Sequence, residues 1–266
     1  MTLARRRLLQ AFILTTVTPL GIGASAQIAI ATAINRAGRF RALAQRSAKA
    51  YAQQVLEVTP TASASTLATA QLLMAQGFDD LAKAGLAGDA ASQLLALRQD
   101  VSALNAALSG TPSKANLPRV NAASDKLTAT AEKLVTAIEA GAKQNSSRIL
   151  NTAARQRLLS QRMAKNYFLQ AAGLEAKPLR DELAADRAEF KKALASLEAA
   201  PVSTPAIRND LQQIHAQWVF FEMGINRQPD TETLRTIASS SERVLELANN
   251  LTVLYEVALK DVLGST

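Results

Sequence analysis

Apolar residues recur along most of this chain at three- and four-residue spacing, interrupted at regular intervals by proline and glycine. That period is the mark of amphipathic helix. A first helix is predicted from about residue 27 until Thr59-Pro60-Thr61 stops it. The next are predicted over about 65–84 and 89–108, with Gly85–Gly88 and Gly110-Thr111-Pro112 as breaks. A fourth starts near Leu117-Pro118, where proline suits a first turn, and carries Leu127, Leu134 and Ile138 on one face. Four more follow: one ending at Gly173, then about 177–200, 204–224 and 230–262. The fold class predicted is all-α, as two tandem up-down four-helix bundle units over 27–143 and 144–266.

A repeat supports the division. The segment INRAGRFRALAQRSAKAY (34–51) returns as LNTAARQRLLSQRMAKNY (150–167) at an offset of 116. Asn35/Asn151, Ala37/Ala153, Arg39/Arg155, Arg41/Arg157, Leu43/Leu159, Gln45/Gln161, Arg46/Arg162, Ala48/Ala164, Lys49/Lys165 and Tyr51/Tyr167 are identical pairs. Polar identities are therefore kept as well as apolar ones, as expected of one structural unit used twice. Ser124-Asp125-Lys126-Leu127 and Ser241-Glu242-Arg243-Val244 extend the correspondence at an offset of 117.

On a helix of about 100° per residue the motif resolves into three stripes. Phe40, Leu43 and Tyr51, matched by Leu159, Met163 and Tyr167, are expected in the core. Arg39, Arg46 and Lys49, matched by Arg155, Arg162 and Lys165, read as a solvated cationic stripe. The third stripe sets Arg41 among Ala37, Gly38, Ala44, Gln45 and Ala48, and Arg157 among Ala153, Ala154, Ser160, Gln161 and Ala164. Small residues let another helix come close, and a guanidinium in such a seam loses water. A bound oxyanion would satisfy it, because the guanidinium fork matches planar oxyanions. A neighbouring acid such as Asp79, Asp80, Asp100 or Glu132 would satisfy it equally well.

Alanine and leucine dominate, while glycine, proline and aromatics are few, which favours helix over sheet. Without cysteine there is no disulfide framework or thiolate chemistry. The single histidine, His215, lies near Trp218 and reads as a partly buried structural residue. No nucleophile–base pair or clustered metal site is legible, so neither an enzyme nor a cofactor is expected. Net charge is +8, or +5 without Arg5, Arg6 and Arg7. The remaining basic residues are scattered among acids, which suits a small anion or a membrane surface and not nucleic acid.

The N-terminus has the layout of a secretory signal over 1–26: a basic start, an apolar run over 8–20, and Ala24-Ser25-Ala26 as a cleavage site. Arg5-Arg6-Arg7-Leu8-Leu9-Gln10 resembles a twin-arginine signal with Ala4 in place of Ser or Thr. The uncharged stretch over 8–33 reads alternatively as an uncleaved anchor, being long enough for the ~20 residues of a bilayer span. Either way the body is expected outside the cytoplasm, and no other segment is apolar enough to cross.

The motif Asn-x-Ala-Gly-x-x-Arg-x-Leu-x-Gln-Arg-x-Ala-Lys resembles the signature of NarX-like/PilJ-type sensor domains. That family includes nitrate/nitrite sensor kinases and the N-terminal domain of type IV pili methyl-accepting chemotaxis transducers. The resemblance implies a periplasmic sensor domain that binds nitrate or nitrite through Arg41 and Arg157, beside Gly38 and its counterpart Ala154. Asn35, Gln45, Arg46, Lys49, Asn151, Gln161, Arg162 and Lys165 are the supporting motif. It also implies pairing of first helices, in a homodimer or as an intramolecular pseudo-dimer. No kinase or methyl-accepting region is legible, so the expected output is a membrane receptor or kinase partner. The alternative is a non-catalytic envelope interaction module for a chemoreceptor or pilus-related system.

The junction decides between the two pairings. No proline lies between Pro118 and Pro178, so the helices could run on continuously, holding the two arginines about 40 Å apart at ~1.5 Å per residue. Gly141 and Asn145-Ser146-Ser147 suit a turn and an N-cap equally well.

Overall fold

The computed structural model describes residues 22–142 and 145–264. Among these residues the chain is all-α, with eight α-helices: α1 Ile22–Val55, α2 Pro60–Ala82, α3 Gly88–Leu108, α4 Leu117–Ala142, α5 Asn145–Ala171, α6 Ala176–Glu198, α7 Pro205–Ile225 and α8 Thr231–Gly264. A 3-10 turn, Lys114–Asn116, leads into α4.

Local chemistry sets the boundaries. Thr204 caps α7, its hydroxyl accepting from the Ile207 N–H at 3.3 Å, with Pro205 in the first turn. Asp230 caps α8 by accepting from the Thr233 N–H at 2.7 Å. Gly173, at φ 92°, ends α5 in the left-handed conformation, and the Leu174 N–H returns to the Leu169 carbonyl at 3.1 Å. The second helix starts about five residues earlier than predicted. Pro60 stops α1 but also opens α2, after Thr59 turns the chain at φ 46°.

In the first half α1 packs on α2 and α4, and α4 on α3, while α2 and α3 barely meet. The second half repeats this order, with α5 on α6 and α8, and α8 on α7. The most extensive contact joins α1 to α5, and α1 also touches α8. Helix α1 is thus covered nearly all round, with Ile34, Ala37, Phe40, Ala44, Ala48 and Tyr51 in the core. The alanine-rich stripe makes this possible, because small side chains let neighbouring backbones come close on every side. Outer helices are pinned by larger groups: Phe40 meets Phe78 at 4.8 Å, and Phe190 stacks on Trp218 at 4.3 Å.

The chain reverses between α4 and α5. The Arg41 guanidinium reaches both Glu132 and Asn151, 19 positions apart, which one continuous helix would separate by about 28 Å. Arg155–Glu132 and Lys165–Asp125 continue the antiparallel ladder. The continuous-junction alternative is therefore not adopted.

The segment 1–21, with most of the expected signal or anchor, lies outside the described residues. The expected cleavage site at 24–26 falls within α1. No described helix is long and apolar enough to cross a membrane.

Candidate functional site

The two copies of the motif meet face to face in the α1–α5 seam. Asn35 lies against Arg157, Gly38 against Ala154, and Arg41 against Asn151, so the two helices cross antiparallel about the Gly38–Ala154 pair. A methyl group on Gly38 would stand 3.6 Å from the Ala154 Cβ but only 2.8 Å from Arg41 Nη2. The missing side chain is the space that the guanidinium occupies.

Equivalent residues make equivalent bonds. Arg41 Nε donates to the Gly38 carbonyl at 3.3 Å, and Arg157 Nε to the Ala154 carbonyl at 3.2 Å. Asn35 Nδ2 donates to Glu256 at 2.6 Å, and Asn151 hydrogen-bonds Glu139, which is 117 positions before Glu256. Gln45 Nε2 donates to Thr128 Oγ1 at 2.8 Å and to Asp125 at 3.0 Å, and Gln161 Nε2 to the Ser241 carbonyl at 2.8 Å. The side-chain carbonyl oxygens of both glutamines are buried without a partner. Lys49 meets Glu242 at 2.5 Å, and Lys165 meets Asp125 at 2.6 Å. Each lysine thus reaches the last helix of the opposite half.

The cationic stripe is not solvated. The side chains of Lys49 and Lys165 are fully buried, and those of Arg46, Arg162 and Arg155 are 14%, 19% and 29% exposed. Each has a carboxylate: Glu242 for Arg46, Asp186 and Glu182 for Arg162, Glu189 and Glu132 for Arg155. Arg39 is half-buried at the edge of this group. Desolvation lowers both lysines in pKa, against the pull of their acids. Burial alone would raise Glu242, yet Lys49 and Arg46 hold it at about 2. The acids that pair with Lys165, Lys49 and Arg46 lie on other helices, 40, 193 and 196 positions away, at separations that helical spacing does not relate.

The two arginines of the third stripe differ. Arg41 is fully buried and paired, Nη1 to Glu132 at 2.5 Å and Nη2 to Asn151 Oδ1 at 2.8 Å. For Arg41 the neighbouring-acid alternative is therefore the one adopted, and an exogenous anion is not needed to satisfy it. Arg157, 2% exposed, has no carboxylate within ion-pair distance among the described residues. Its Nη1 donates to Asn249 Oδ1 and its Nη2 to the Asn35 carbonyl, both at 3.3 Å. Burial, with Arg41 and Arg39 nearby, pushes the Arg157 guanidinium down to about 9, so it keeps its charge at neutral pH. Asn249 stands 117 positions after Glu132, in the register of Ser241 after Ser124. That register was legible in the sequence and would have exposed the difference.

His215 is also corrected. Its side chain is 47% exposed and its Nε2 lies 2.7 Å from Glu198.

Residues 141–240 match the family model described as PilJ, type IV pili methyl-accepting chemotaxis transducer N-term. Over that stretch the chain is similar to a signalling domain of the chemoreceptor-related kind. No curated protein and no solved structure matches it.

Proposed function

We propose that this chain is a periplasmic sensor-type module, built from two tandem NarX/PilJ-like halves, that binds a small oxyanion such as nitrate or nitrite and signals through a partner. The family match over 141–240 supports the second half as such a domain, and the motif at 34–51 supports the first as a diverged copy. The observation that carries the ligand reading is Arg157: a buried guanidinium held by neutral oxygens alone among the described residues. An uncompensated buried charge costs several kcal/mol, roughly, which a bound anion would offset. The α1–α5 seam supports the intramolecular pseudo-dimer over a homodimer as the setting of the site.

Calorimetry with nitrate, nitrite, sulfate and chloride tests this. Saturable heat with nitrate or nitrite, lost in Arg157→Ala, is expected. Binding that survives Arg157→Ala would remove the site.

A second reading is a non-catalytic interaction module. Val219, Phe220 and Met223 on α7 favour it, being 53%, 64% and 63% exposed on one side of the helix. It predicts no response to any anion.

A further inference from the structure

We infer that Glu132 is a resident substitute for the ligand in the first half, and that the Glu132/Asn249 difference leaves one anion site per chain, at Arg157. The inference rests on the oxyanion reading above and adds its stoichiometry and the residue that sets it.

The two arginines sit in matched surroundings. Each Nε bonds the carbonyl three residues back, and each fork turns toward the other motif copy. What differs is the group from the last helix of the same half. In α4 it is a carboxylate, 2.5 Å from Arg41. In α8 it is an amide, 3.3 Å from Arg157. A carboxylate is a planar monoanion with two oxygens in the spread that a guanidinium fork accepts, and nitrate and nitrite share that shape and charge. Glu132 therefore occupies the place of such a ligand on Arg41. Asn249 ends in a planar amide one methylene shorter and without the charge, so it accepts a hydrogen bond and leaves the cation without a direct ion pair, Glu256 acting on it only from beyond that distance.

The ligand class follows: a small planar monoanion. Tetrahedral, doubly charged sulfate has neither the shape nor the charge of the carboxylate that Arg41 holds.

Titration calorimetry of the full chain with sodium nitrate, backed by thermal melts, tests the inference. The wild type is expected to bind one nitrate. Asn249→Glu supplies the missing carboxylate and is expected to weaken binding by about a hundredfold or more. Glu132→Asn is expected to raise the stoichiometry to two, and the double exchange to restore one. Glu132→Gln and Asn249→Asp replace either variant that does not melt cooperatively. A wild type that binds no nitrate overturns the oxyanion reading together with this inference. A wild type that binds two, or an Asn249→Glu variant that binds as the wild type does, overturns this inference alone.

Discussion

Replacing Glu242 by Gln removes the carboxylate's negative charge and leaves the side-chain volume nearly unchanged. The Lys49 ammonium then keeps neutral acceptors only, Ser241 Oγ at 2.9 Å and the new amide oxygen, in a place where its side chain has no exposure. Breaking a buried pair in this way costs about 3–5 kcal/mol. A second route gives a similar figure. Glu242 titrates at about 2 in place of 4.5, and each pH unit is worth ~1.36 kcal/mol, or about 3 kcal/mol in all. Its side chain is 30% exposed, so solvent screening puts the effect toward the lower end. Because the folded-state pKa is depressed, this stability is present above pH 4.5 and lost as pH falls toward 2. Urea unfolding of wild type and Glu242→Gln at pH 7, 4.5 and 2.5 measures it. The gap should be about 3 kcal/mol at pH 7 and should narrow to about 1 kcal/mol in the most acid buffer. Adding Lys49→Met to Glu242→Gln should recover much of the loss. A Glu242→Gln variant within ~0.5 kcal/mol of wild type at pH 7 would refute the claim that this carboxylate balances a buried lysine.

Three further outcomes are expected. Arg157→Met, in buffer free of nitrate and nitrite, should be neutral or stabilising by about 1–4 kcal/mol in urea unfolding, whereas Arg41→Met should destabilise. Gly77→Ala should lower the melting temperature, because its Cβ would lie 2.8 Å from two atoms of the buried Phe40 ring, and overpacking costs about 1–3 kcal/mol. Tyr51→Phe should cost about 1–3 kcal/mol, since the hydroxyl accepts from the Ser113 N–H at 3.1 Å and from Asn116 Nδ2 at 3.0 Å.

The helices were legible because proline, glycine and apolar period act locally. Three boundaries needed little more than Thr204-Pro205, Asp230 and Gly173. Pro60 misled because a residue that cannot continue one helix is well suited to begin another. The core stripe of Phe40, Leu43 and Tyr51 was also readable. The charged stripe was not. Lys49 looks like a surface residue until Glu242 is brought beside it, and that depends on α8 crossing from the other half. For the same reason sequence spacing left Arg41 open between an anion and Glu132, and only the packing of α4 on α1 decides it.

The α1–α5 contact also bears on how a signal could leave the molecule. Its two helices belong to one polypeptide, so their encounter is governed by an effective concentration and does not weaken on dilution. Assembly and dissociation of that contact cannot serve as the message. Whatever an occupant of the seam changes must be expressed as a shift of already joined helices, the kind of sliding that packed interfaces convert into discrete alternative positions.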